Sequence, residues 1–96
     1  MSNEQISKLL RNIAAAYTIK NEKKFRFQII AYQKASDTIA NLTSEIQDFY
    51  KENKLDTLPG IGNIIKSHLI ELFKKGEVRH FKWALKGIPA SVFPLL

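Results

Sequence analysis

The 96-residue chain has no cysteine, which removes disulfide staples, thiolate metal sites and cysteine nucleophiles at one stroke. Nor does it contain an apolar run of the ~20 residues that a membrane-spanning helix needs. Its first residues, Met1-Ser2-Asn3-Glu4, lack the charged and then apolar regions of a secretory signal, so an intracellular protein is expected. Internal repeats and low-complexity tracts are missing too. Glycine and proline are scarce, at four and three residues, and two of the glycines and one proline fall within the five residues 58–62. Acidic side chains are in deficit as well, 9 against 15 basic, for a net charge of +6. Such an imbalance favours polyanions, nucleic acid before an anionic membrane surface. A solubilising lysine coat explains charge alone equally well.

What is present is the material of one small globular domain. Apolar residues make up 45% of the chain, too many for a disordered segment. The basic excess is uneven. Residues 1–40 carry 7 basic and 3 acidic groups, residues 41–60 carry 2 and 4, and residues 61–96 carry 6 and 2.

Helical periodicity runs almost throughout, and the expected fold is an all-α bundle of four to five short helices. A first helix over about residues 3–20 places Ile6, Leu9, Leu10, Ile13, Ala14 and Tyr17 on one stripe, with Ser2 or Asn3 as its cap. After the polar break at Asn21-Glu22-Lys23-Lys24, a second helix is expected from about 25 to 41. It would bury Phe27, Ile30, Ala31, Ala35, Thr38, Ile39 and Leu42. Ser44 with Gln47 fits a capping box for a short third helix, with Ile46, Phe49 and Tyr50 inside. A fourth helix over about 63–75 would bury Ile64, Ile65, Leu69, Leu72 and Phe73 and stop at Gly76. A fifth, over about 77–86, would carry Val78, Phe81, Trp83, Ala84 and Leu85 and end at Gly87. The apolar ending Val92-Phe93-Pro94-Leu95-Leu96 is expected to meet a partner, as in a chain cut from a longer one.

The segment Leu58-Pro59-Gly60-Ile61-Gly62-Asn63-Ile64-Ile65-Lys66 has a definite physical logic. Two short helices are expected to meet at a tight hairpin whose second glycine begins the next helix, and its glycines let the backbone take positive φ and let another backbone approach without a Cβ between. The free amides and the dipole at the start of the next helix then suit a phosphate. Pro59 fixes the entry angle, and Ile61 fills the space between the two helices. Contacts of this kind engage phosphates and not bases, so binding would be independent of sequence. The expected DNA-binding residues are Gly60, Ile61, Gly62, Asn63 and Lys66, with Tyr32 and Lys34 from the second helix. No Lys-Ser or Lys-Thr follows at Walker spacing and no strand precedes the loop, which argues against nucleotide binding.

These residues bring a family into view. Lys24-Phe25-Arg26-Phe27-Gln28-Ile29-Ile30-Ala31-Tyr32-Gln33-Lys34-Ala35, then Leu58-Pro59-Gly60-Ile61-Gly62, then Leu72-Phe73-Lys74-Lys75-Gly76-Glu77 resemble, in order and spacing, the N-terminal lyase-like domain of family X DNA polymerases. The stretch 88–96 is similar to the family's lead-in to a second hairpin, which this chain lacks. Lys24 stands where the family has proline, and Gln33 where it has arginine.

The resemblance implies a helical module that grips gapped DNA near a 5′-phosphate, joined to a C-terminal polymerase domain and acting in repair. It implies a monovalent cation, sodium or potassium, held by the backbone carbonyls of Asp56, Leu58 and Ile61. It also implies a monomer, in the cytoplasm and nucleoid of a prokaryote or in a nucleus. The family's Schiff-base lysine falls at His68, whose imidazole forms no stable iminium, so no catalytic residue is expected in this chain. Lys66 lies two residues earlier, about 200° around the helix. Basic positions of the family's phosphate pocket are taken by Gln28, Asp56 and Ile64, while Tyr32 is kept. Tyr32 has a packing role open to it as well as a phosphate contact. Lys34, Lys66 and Arg79 would supply general attraction, with the Lys23-Lys24-Phe25-Arg26 cluster as a possible fringe.

Three readings remain beside one another: the DNA module, a docking module that uses residues 92–96, and a residual abasic-site lyase using another lysine. His68 and His80, twelve apart without a carboxylate at zinc spacing, are not expected to hold a metal. Phe81 and Trp83 are expected in packing, not in base stacking. Paired carboxylates for nucleotidyl transfer are missing, so any polymerase chemistry would lie beyond residue 96.

Overall fold

The computed structural model describes residues 1–87; residues 88–96, with the expected docking tail and the lead-in to a second hairpin, lie outside them. Five α-helices and one 3-10 turn account for the described residues, and no strand occurs among them. In chain order they are α1 (Asn3–Asn21), α2 (Arg26–Ala40), α3 (Ile46–Lys51), a 3-10 turn (Leu55–Thr57), α4 (Asn63–Lys75) and α5 (Arg79–Leu85).

Helices α1 and α2 form an antiparallel pair, since Ser7 meets Ser36 while Tyr17 stacks near Phe25 and Tyr32. Ser7 Oγ donates to Ser36 O at 2.9 Å, and Ser36 Oγ donates to Ser7 O at 2.8 Å. Both serines are buried. Their small side chains let the backbones approach, and each hydroxyl donates to the carbonyl of the serine on the other helix, so burial leaves neither hydroxyl unpaired. Around this seam lie Ile6, Leu10, Ile13, Ala35, Ile39, Leu69 and Phe81, all buried.

The buried stripe of α2 differs from the expected one. Phe27 and Ile30 are exposed, while Ile29, Tyr32, Ala35, Ser36 and Ile39 face inward. Ala35 and Ile39 are buried as expected, and Ile29, Tyr32 and Ser36 join them because the helix is turned so that Ser36 meets Ser7 of α1 and Tyr32 lies against Tyr17. Ile64 of α4 is likewise exposed, and Trp83 of α5 keeps 48% of its surface in solvent. Val78, Phe81 and Ala84 are the inward residues at the last helix.

Capping follows the sequence at α1 and departs from it at α3. Ser2 and Gln5 make a full capping box on α1. The box expected from Ser44 and Gln47 does not form. Glu45 is the N-cap residue of α3 and contributes no side-chain bond. The amide of Ile46 donates instead to Asn3 Oδ1 at 2.8 Å, and Asn3 Nδ2 donates to Ser44 O at 2.8 Å. A side chain 43 residues away does the work that a local cap was expected to do. At the other end of α4, Gly76 adopts φ +76° and closes the helix by donating to Leu72 O, as its position implies.

Candidate nucleic-acid interface

The element leading into the hairpin is the 3-10 turn, not a full helix. Leu55 is buried and anchors it, and the Leu58 amide bonds back to Leu55 O. Leu58-Pro59-Gly60-Ile61 then forms a tight turn, with the Ile61 amide reaching Leu58 O at 3.4 Å. Proline in the second place and glycine at φ +79° in the third are the marks of a type II turn. The space at Gly60 is tight as well: a Cβ there would sit 3.1 Å from Thr38 Oγ1 and 3.5 Å from Lys34 O. Thr38 Oγ1 donates to Pro59 O at 2.8 Å, which docks the hairpin on α2. Buried Leu58 and half-buried Ile61 pack onto the core from either side of the turn.

Gly62 plays a different part. Its φ of −79° and ψ of 175° are open to any residue, so conformation does not require glycine there. A Cβ at Gly62 would meet nothing within 4 Å. The residue is the N-cap of α4, and no side chain caps that helix. The first amides of a 13-residue helix therefore face open surface, with Asn63 exposed beside them.

Lys66, one turn into α4, is tied to the preceding element. Its ammonium lies 2.8 Å from Asp56 Oδ1 and 2.9 Å from Asp56 Oδ2. Lys34 is exposed on α2 with its own carbonyl against Gly60. The structure thus gathers Asp56, Leu58, Gly60, Ile61, Gly62, Asn63, Lys66 and Lys34 at one place. The carbonyls of Asp56 and Ile61 accept no hydrogen bond among the described residues, and that of Leu58 accepts only the long one from Ile61. Hard, underused oxygens of this kind suit an alkali cation.

Tyr32 and His68 belong to a second locus. Tyr32 is buried, and its hydroxyl pairs with His68 Nδ1 at 2.8 Å. The His68 ring stacks on His80, centroids 4.9 Å apart and 13° from parallel. Tyr17 Oη in turn pairs with His80 Nε2. Burial pushes the Tyr17 and Tyr32 phenols above their ordinary value. It lowers both imidazoles; for His68 the neighbouring His80 lowers it further, against a smaller opposing pull from Glu71. Burial thus favours the neutral form of both imidazoles, each bonded to a phenol. The sequence offered no route to this group, because Tyr17 and His80 stand 63 residues apart.

These four residues floor a cleft of about 390 Å³ between α2 and α4, walled by Phe27, Gln28 and Ala31 on one helix and Ile64 and Ile65 on the other. Among the described residues no lysine or arginine lines it.

The glycine hairpin followed by an uncapped helix start, docked on a helical pair, is the architecture of a helix-hairpin-helix domain. The helix-hairpin-helix domain family matches residues 1–78, and the chain belongs to it. Domains of this family generally bind DNA without sequence preference. No curated protein matches the chain. Among the described residues no helix is long and apolar enough to cross a membrane.

Proposed function

We propose that the chain binds the DNA backbone, independently of base sequence, as the N-terminal module of a family X DNA polymerase acting in repair. The observation that carries this reading is the uncapped start of α4 behind a glycine whose outer face is open. A phosphate oxygen can come to the amides there, and the helix dipole favours it. Asp56, Leu58 and Ile61 would hold a sodium or potassium ion through their carbonyls, and the ion would neutralise part of the phosphate charge. Lys34 and Lys66 add attraction, and gapped DNA with a 5′-phosphate is the preferred form. The polymerase domain would follow in the same polypeptide. The module would work as a monomer, in a nucleoid or a nucleus.

Few phosphates are engaged by one hairpin, so binding is expected to be weak and to fall steeply with salt. The test is an NMR titration with a short gapped DNA carrying a 5′-phosphate, at low and moderate salt. Shifts centred on Gly60, Gly62, Asn63 and Lys66 that shrink with salt are expected. Shifts confined to α5 and the residues after it would overturn the reading in favour of a docking module.

A further inference from the structure

The start of α4 and the paired histidines share one helix face. His68 stands one turn after Ile64 and five residues after Asn63, so only about 7 Å along the helix axis separates it from the first amides of α4. A helical side chain leans back toward the N-terminus, which brings the imidazole closer still. His80 of α5 stacks on it, centroids 4.9 Å apart. Both rings are half-buried and line the cleft that Ile64 and Ile65 wall. They are the chain's two histidines.

Each ring has one nitrogen engaged, His68 Nδ1 by Tyr32 and His80 Nε2 by Tyr17. His68 Nε2 and His80 Nδ1 have no hydrogen-bond partner among the described residues. A ring that gains a proton donates from both nitrogens, one N–H to the phenol oxygen and the other to an anion at the cleft. Burial opposes that proton, and so does the repulsion of two charged rings in contact. Other charges around the pair are few. From α1 come Tyr17 and, beyond the Trp83 ring, Lys20; from α2 comes Tyr32. From α4 comes Glu71, whose carboxylate accepts the Arg79 amide of α5 and whose pull on His68 is the weakest influence there. Among the described residues the cleft lining holds no other ionisable group. The pair therefore favours the neutral form in the free domain and can charge when an anion arrives.

We propose that DNA binding at the hairpin is coupled to proton uptake by His68 and His80, so that affinity rises as the solution becomes mildly acidic. This rests on the backbone-binding reading above and adds a regulation to it. A phosphate on the α4 amides lies about one Debye length, roughly 8 Å at physiological salt, from the imidazoles, and its charge offsets the repulsion between two protonated rings. The coupling is reciprocal: bound DNA raises the proton affinity of the pair, and protons raise the affinity for DNA by the same factor. A lysine at either place would attract phosphate at any physiological pH, whereas a histidine makes that attraction conditional.

The test measures the affinity of the full chain for a short gapped DNA by fluorescence anisotropy, at about pH 7.0, 6.2 and 5.5 and constant ionic strength. The DNA carries 5′-hydroxyl ends, so no terminal phosphate titrates in this range. Wild-type affinity is expected to rise about five- to tenfold from the highest pH to the lowest. The double variant His68→Asn, His80→Asn should lose most of that rise. Far-UV circular dichroism checks that each protein is folded at each pH. NMR of the imidazole resonances needs no substitution, and both rings should titrate at higher pH in the complex than in the free chain. A wild-type affinity indifferent to pH, a double variant with the wild-type slope, or imidazoles that titrate alike with and without DNA would overturn the coupling while backbone binding stands. If the wild-type protein binds the DNA at none of these pH values, both readings fail.

Discussion

The Lys66 ammonium is held by both oxygens of the Asp56 carboxylate, at 2.8 and 2.9 Å. A cation placed beside the candidate phosphate site is thus already partnered by an anion of the element before the hairpin. On the proposed reading Asp56 would carry two opposed influences: its carbonyl would help hold a cation, and its carboxylate would compete with phosphate for Lys66. The pair itself adds little to stability, because Asp56 is well exposed and exposed pairs contribute about 0–1 kcal/mol.

Removing that competition should strengthen DNA binding. Asp56→Asn is expected to raise affinity several-fold at low salt, and Lys66→Ala to reduce the slope of log affinity against log salt by about one. Fluorescence anisotropy over a salt series measures both. An unchanged slope in Lys66→Ala would mean that Lys66 stays with Asp56 in the complex.

Gly60 and Gly62 should separate by readout. Gly60→Ala forces an L-residue to φ +79° and brings its methyl to 3.1 Å from Thr38 Oγ1. A loss of about 1–2 kcal/mol in chemical denaturation is expected. Gly62→Ala meets no protein atom within 4 Å and needs no unusual dihedral, so its stability should change by no more than about 0.5 kcal/mol. Its DNA affinity should fall, because the methyl stands where the backbone of DNA would approach.

Asn3→Ala should destabilise the domain by about 1–2 kcal/mol, read as a lower thermal midpoint. The substitution removes both the acceptor for the Ile46 amide and the donor to Ser44 O. Asn3→Asp keeps the acceptor and loses the donor, so it should fall between the two. Equal stability of Asn3→Ala and the wild type would show that water replaces the cap without loss.

Stability should depend on pH through His68 and His80. Burial holds both imidazoles below the ordinary histidine value of about 6.5 in the folded domain. As pH falls below about 6.5 the unfolded chain takes up protons that the folded domain resists, so stability present above that value is lost until the folded imidazoles titrate. Urea midpoints at pH 7.5 and 5.5 should differ accordingly. In a His68→Asn, His80→Asn double variant the difference should shrink. A difference that persists unchanged would assign the effect to other groups.

Borohydride trapping on abasic-site DNA should give no covalent adduct. His68 stands where a Schiff-base lysine is implied by the family resemblance, and no amine lines the cleft around it among the described residues. An adduct that maps to Lys66 would revive the lyase reading and require that lysine to leave Asp56.

Much of this protein is written locally. Every α-helix follows from period 3.6 and its punctuation. Gly76 ends α4 because only glycine takes positive φ without strain, and the Leu58–Gly62 run makes a turn because proline and glycine preset its dihedrals. Those causes act within a few residues, so the sequence alone determined the all-helical class, the span of α4 and the hairpin. What lies between elements was decided by tertiary packing. Apolar residues cover both sides of α2 at its start, and the stripe through Ile29, Tyr32, Ser36 and Ile39 faces inward because it gives Ser36 its partner in Ser7. The cap of α3 came from Asn3, and the cluster of Tyr17, Tyr32, His68 and His80 formed because four separate helices converge there. No local pattern encodes such meetings; they arise when the faces of distant helices must exclude water together.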